Sequence, residues 1–157
     1  MTASPSRLDR KLILLVEDDP DHVILARRAI HEMDLAPEIV VANDGAEALD
    51  YLFGTSRPGE STSRAIPQVV VLDLKLPKIG GLEVLRRIRA DERTRLLPIV
   101  ILTSSDEERD LIDGYRLGAN SYVRKPVDFD EFVEAAKQLG LYWLKVNDPP
   151  PGLRWAS

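Results

Sequence analysis

VVVLDLKLP, residues 69–77, decides the fold. Val69 to Leu72 are apolar without interruption. A strand with one wet face would alternate, so this run reads as a strand buried on both faces, as in a parallel sheet. One carboxylate, Asp73, stands where the strand leaves the sheet. Pro77 and the pair Gly80-Gly81 break the pattern before a helix begins. A carboxylate at the carboxyl end of such a strand sits where open α/β sheets bind ligands. The competing use of an Asp here is a turn or a helix cap.

Upstream, Leu12 to Val16 is a second apolar run, ending abruptly in Glu17-Asp18-Asp19-Pro20-Asp21. Asp19 as cap and Pro20 at the first helical position start a helix. Val23, Ala26, Ile30 and Met33 recur at helical spacing and mark its buried face. Glu38 to Ala42 reads as a short strand, and Asp44 with Glu47 as a capping box opening a helix to about Phe53. Gly54 to Ala65 is a polar loop, long for a compact domain.

Downstream, Leu82, Leu85 and Ile88 give one helical face. Pro98 to Leu102 is another doubly buried strand, ending in Thr103-Ser104-Ser105. Ser105 with Glu108 reads as a second capping box, and its helix stops at Gly118, a C-terminal glycine signal. Ser121 to Val123 is a strand, followed by Arg124-Lys125-Pro126. Asp128 with Glu131 opens a last helix, which runs to roughly Val146 before a proline-rich tail that cannot continue it. Strand and helix thus alternate five times, which specifies an α/β fold: a doubly wound (βα)5 parallel sheet covered on both faces.

The 157 residues suffice for one domain with a proper core. The expected division is a loose leader over 1–10, a folded domain over 11–146 and a tail over 147–157. A net charge of −5 argues against a nucleic-acid partner, which requires a basic stripe. The absence of cysteine excludes disulfides, thiolate metal sites and a Cys nucleophile. Neither a signal peptide nor a run of about 20 apolar residues is present, so a cytoplasmic protein without a membrane anchor is expected.

In a parallel sheet all carboxyl ends share one edge. Glu17, Asp18 and Asp19, then Asp73, then Thr103 and Ser104, then Lys125 should therefore meet in one cleft. Crowded carboxylates raise one another's pKa, and a divalent cation relieves this. Hard oxygen donors suit Mg²⁺, with Mn²⁺ in its place, better than Zn²⁺. A hydroxyl and an ammonium beside them are the donors that a phosphoryl group needs. Together these point to phosphoryl transfer onto a carboxylate, and Asp73 is the candidate nucleophile. Capping explains Asp19, Asp18 or Thr103 as readily, and a solvated charge explains Lys125. His22 and His31 read as surface residues. Crowding also leads to the expectation that Asp73→Asn raises the melting temperature of the metal-free protein.

LLVEDD, LDLKLPKIGGLEVL, PIVILTS and SYVRKP, in this order and spacing, resemble the receiver domain of two-component response regulators. The resemblance covers about residues 11–137. It implies a flavodoxin-like sheet of strand order 2-1-3-4-5, an order already known for this family rather than read from the residues. It implies Asp73 as phosphoacceptor, and Glu17, Asp18, Asp73 and the main-chain carbonyl of Lys75 as metal contacts. It implies Thr103 as switch hydroxyl, Tyr122 as switch aromatic and Lys125 as phosphate-binding lysine, with a cis bond to Pro126. The implied activity is capture of a phosphoryl group from a sensor histidine kinase, with no turnover beyond the protein's own phosphorylation and dephosphorylation.

The Gly54–Ala65 loop and the apolar stretch Leu139, Leu141, Tyr142, Trp143 and Leu144 exceed a minimal receiver. The surplus fits docking on its own domain or a homodimer interface. Both features resemble the regulators paired with phytochrome-type kinases. A phosphorylation-independent scaffold and a Mg²⁺-dependent phosphatase with an aspartyl nucleophile are the alternatives. The second acid that such phosphatases carry is replaced here by Lys75.

Overall fold

The computed structural model describes residues 11–33, 37–54 and 66–151. The leader at 1–10, the polar loop beyond Gly54 and the end of the tail lie outside them. Five strands alternate with five helices: β1 Leu12–Val16, α1 Pro20–His31, β2 Glu38–Ala42, α2 Gly45–Phe53, β3 Val69–Leu72, α3 Gly81–Ala90, β4 Ile99–Thr103, α4 Glu108–Arg116, β5 Ser121–Arg124 and α5 Phe129–Leu141. All neighbouring strands are parallel, in the order β2-β1-β3-β4-β5. The expected fold class and strand order are those observed.

Burial follows position in the sheet. β1 and β4 are buried at every residue, whereas the edge strands β2 and β5 are half-buried. Side chains alternate between the two faces. Leu14, Val16, Val70, Leu72, Ile99 and Ile101 pack with Leu49, Leu52, Val84, Leu85 and Ile88 of α2 and α3. Leu102 packs with Leu25, Ala29, Phe132, Val133 and Ala136 of α1 and α5 on the opposite face.

The helix starts follow the sequence closely at three places. Asp19 caps α1, accepting from Asp21 N–H at 2.9 Å, with Pro20 at its first position. Asp44 and Asp128 cap α2 and α5 by accepting from Glu47 and Glu131 N–H. Gly118, just past α4, has φ +105°, the left-handed conformation of a glycine terminator. The expected Ser105 box does not form. α4 begins after Glu107, which makes no side-chain cap; Ser105 Oγ accepts from Glu107 N–H and donates to Asp110 instead. The helix cap position falls on Glu107, two residues later than expected, so the serine lies too early to cap.

α5 passes into a π-helical turn, Tyr142–Val146. The wider turn directs Trp143 and Leu144 into the core against Ile13, Ile30, Val69 and Val100. Of the five residues offered for a dimer contact, Trp143 and Leu144 are thus core residues and Leu139 packs beside them. Leu141 and Tyr142 stay exposed, at 44% and 48%.

Candidate functional site

Three strands extend their hydrogen-bonded ladders by one residue and so place their last side chains side by side. Glu17 N–H donates to the Ala42 carbonyl at 2.9 Å, Asp73 N–H to Val16 at 3.1 Å and Lys125 N–H to Thr103 at 2.8 Å. Glu17, Asp73 and Thr103 are buried, and the Lys125 side chain is only 4% exposed. Asp18 is exposed at the rim. Gly81 brings the β3–α3 loop close: a Cβ there would lie 2.2 Å from the Asp73 carbonyl oxygen.

Lys125 is the centre of the cluster. Its ammonium donates to Asp73 Oδ2 at 2.7 Å, to Glu17 Oε1 and to His22 Nδ1 at 2.9 Å. Asp73 also accepts from the Lys75 N–H at 3.2 Å, and the Thr103 hydroxyl favours its charged form. Burial alone would raise the Asp73 pKa, but Lys125, Glu17 and Thr103 outweigh it and hold the carboxyl below its usual range. Glu17 goes the other way. Burial pushes it up to about 7, against the pull of Lys125 and with the neighbouring Asp73 adding to the rise.

Glu17, Asp18 and Asp73 each offer a carboxylate oxygen within 4.8 Å of the others. Glu17 Oε2 is buried without a hydrogen-bond partner. An orphaned carboxylate oxygen is costly, and a cation would satisfy it. The donor set, all hard oxygen, fits a small divalent cation. Lys75 stays exposed, and its contribution to the cluster is its backbone N–H.

The Tyr122 ring packs against Gly114 of α4, and its hydroxyl donates to the Ser105 carbonyl at 3.4 Å. Burial raises the tyrosine's pKa. The Lys125–Pro126 peptide is trans, since no cis bond occurs among the described residues. The cis bond implied by resemblance is therefore corrected. The trans form is the lower-energy isomer, and the Lys125 ammonium reaches Asp73 without the switch.

His22, read from sequence as a surface residue, belongs to the cluster. Its ring lies on the first turn of α1 and stacks on Phe132 of α5, centroids 5.2 Å apart. The signal available was position: His22 directly follows the acidic run, one helical turn after Asp19, and the start of α1 opens on the same sheet edge. His31, at the far end of that helix, is exposed.

The family model described as "Response regulator receiver domain" matches residues 13–137. The probable methanogenesis regulatory protein FilR2 of Methanothrix harundinacea is 40% identical over 90% of this chain and 89% of its own length. Response regulator Rcp1 of Synechocystis is 31% identical over 89% of this chain and 93% of its own. Among solved structures, the phosphorylated cyanobacterial phytochrome response regulator RcpA has a TM-score of 0.83 at 31% identity, covering 90% of this chain and 99% of its own. The bacteriophytochrome response regulator RtBRR has a TM-score of 0.68 at 47% identity, covering 91% and 86%. The Mn²⁺-bound form of Rcp1 gives a TM-score of 0.81 at 31% identity, covering 89% and 99%.

Proposed function

This chain belongs to the response regulator receiver domain family, and from that premise we propose that it is a phosphorylation switch whose acceptor is Asp73. The observation that carries the reading is the Lys125–Asp73 pair: a buried carboxylate kept ionised, with an ammonium at 2.7 Å and a hydroxyl beside it. Asp73 attacks the phosphorus of a phosphohistidine on a sensor kinase. An O–P bond forms and the donor's N–P bond breaks, its electron pair staying on the imidazole nitrogen, which takes a proton. Lys125 and Thr103 are placed to bond the phosphoryl oxygens once the group has arrived. Thr103, Tyr122 and the Ser105 segment then shift the resting place of α4, and a partner reads the changed surface.

Glu17, Asp18 and Asp73, with the Lys75 carbonyl, would hold Mg²⁺ or Mn²⁺. That ion would neutralise charge on the transferring oxygens. Turnover is confined to the protein's own phosphorylation and hydrolysis. The phytochrome assignments of RcpA and RtBRR support a phytochrome-type kinase as the donor here. Exposed Leu141 and Tyr142 support pairing of two copies at the end of α5, tested by sedimentation with and without beryllofluoride.

Acetyl phosphate with Mg²⁺ should label the wild type with one phosphoryl group and leave Asp73→Asn unlabelled. Undiminished labelling of the variant would defeat the assignment. A profile of phosphotransfer against candidate kinases then identifies the donor, and phytochrome-type kinases should transfer fastest.

A further inference from the structure

A lysine ammonium has three N–H donors and no lone pair. In this site all three are used inside the protein, by Asp73 Oδ2, Glu17 Oε1 and His22 Nδ1. Because the ammonium can only donate, Nδ1 is the acceptor in this contact. Glu17 Oε1 and Asp19 Oδ2 lie 3.3 and 3.6 Å from the same nitrogen. The ring itself is held from behind. Phe132, 2% exposed and part of the α1–α5 core, stacks on it with an interplanar angle of 22°.

The three acceptors differ in what the reaction asks of them. Asp73 takes the phosphoryl group and Glu17 belongs to the cation cluster, so both change their hold on Lys125 during the reaction. His22 alone is free of both tasks. The lysine head rides on a flexible four-carbon stem and keeps a fixed direction only if one partner stays in place. The His22 imidazole, anchored on a helix and braced by a buried ring, is that partner.

We infer that His22 is a positioning residue for phosphoryl transfer: its Nδ1 holds the Lys125 ammonium aimed at Asp73, and Phe132 fixes the plane of the ring. The inference rests on the reading of Asp73 as the phosphoacceptor.

The test uses the full chain, acetyl phosphate and Mg²⁺, with the phosphorylation rate followed across donor concentrations. His22→Phe keeps a stacked ring and removes the acceptor. It should slow the maximal rate about tenfold, the scale of losing one hydrogen bond to a charged group, with little change in the half-saturating donor concentration. His22→Gln restores an acceptor and should recover part of the loss. In a Lys125→Ala background, His22→Phe should cost nothing further, because it acts through the lysine. Melting curves show that each variant is folded.

A second readout needs no phosphorylation. The ¹⁵N shift of His22 Nδ1 in the wild type should mark a hydrogen-bond acceptor and move in Lys125→Ala. A wild-type rate for His22→Phe, an equal cost in both backgrounds, or an Nδ1 shift indifferent to Lys125→Ala would overturn the inference. A wild type that takes no label while Nδ1 still responds to Lys125→Ala would overturn the Asp73 reading and leave the Lys125–His22 contact standing.

Discussion

α3 and α4 flank the same site and are held very differently. α3 buries Gly81, Val84, Leu85 and Ile88, and its end is tied down by Thr94, whose hydroxyl donates to the Ile88 carbonyl at 2.7 Å. Arg89 adds a clasp. Its guanidinium donates to the carbonyls of Gly118, Arg95 and Leu97 and to Asn120 Oδ1. α4 buries only Gly114, and neither helix starts on a side-chain cap. Buried apolar area and satisfied polar groups set local stability, so α3 is the fixed wall and α4 the loose one. Asp73 enters from the fixed side. Thr103 and Tyr122 connect to the loose side, through Ser105 and Gly114. A switch needs that asymmetry, because a firmly packed α4 would have one resting place only.

The largest effect should come from the walls themselves. Ile88→Ala in α3 is expected to cost about 2–5 kcal/mol in urea unfolding, whereas Ile112→Ala in α4, 45% exposed, should cost under about 1 kcal/mol. Equal costs would break the comparison. Next comes Arg89→Met, which takes a donor from the part-buried carbonyls of Gly118 and Leu97 and should cost about 1–3 kcal/mol. It should also loosen the anchored C-terminal end of α4, seen as faster amide exchange around Gly118.

A smaller effect concerns pH. Glu17 has a folded pKa of about 7 against an ordinary 4.5. Between those values the folded state keeps a proton that the unfolded chain has lost. Stability of the metal-free protein should therefore fall as pH rises from about 4.5 to 7. Glu17→Gln should flatten that slope and raise the melting temperature near neutral pH. The structure moves the expected strain from Asp73 to Glu17. Asp73 is favoured as an anion by Lys125, so Asp73→Asn removes a good pair along with a repulsion and should gain less. The smallest effect is Gly114→Ala. Its Cβ would meet Ile101 Cδ1, the far end of a flexible side chain, at 2.8 Å. Unfolding should change by about 1 kcal/mol or less, while the amides of α4 exchange faster.

What the sequence made legible follows from where its information is local. Apolar runs ending in Glu17, Asp73, Thr103 and Lys125 are visible because a parallel sheet buries whole strands and brings their ends to one edge. Asp19, Asp44, Asp128 and Gly118 are visible because caps and terminators act within a few residues. His22 was not, because its role depends on how α1 is rotated against α5. Arg89 left no pattern, since its partners are backbone carbonyls rather than acids. Trp143 and Leu144 looked surplus on a regular helix and became core only through the wider π-helical turn.

The central claim is that side chains distant in sequence form one site that accepts phosphorus on one oxygen-bearing residue. Reductive trapping of the protein phosphorylated by acetyl phosphate, followed by peptide mapping, tests it most directly. The account predicts a single modified residue, Asp73. Modification at Glu17 or Asp18 with Asp73 intact would contradict it.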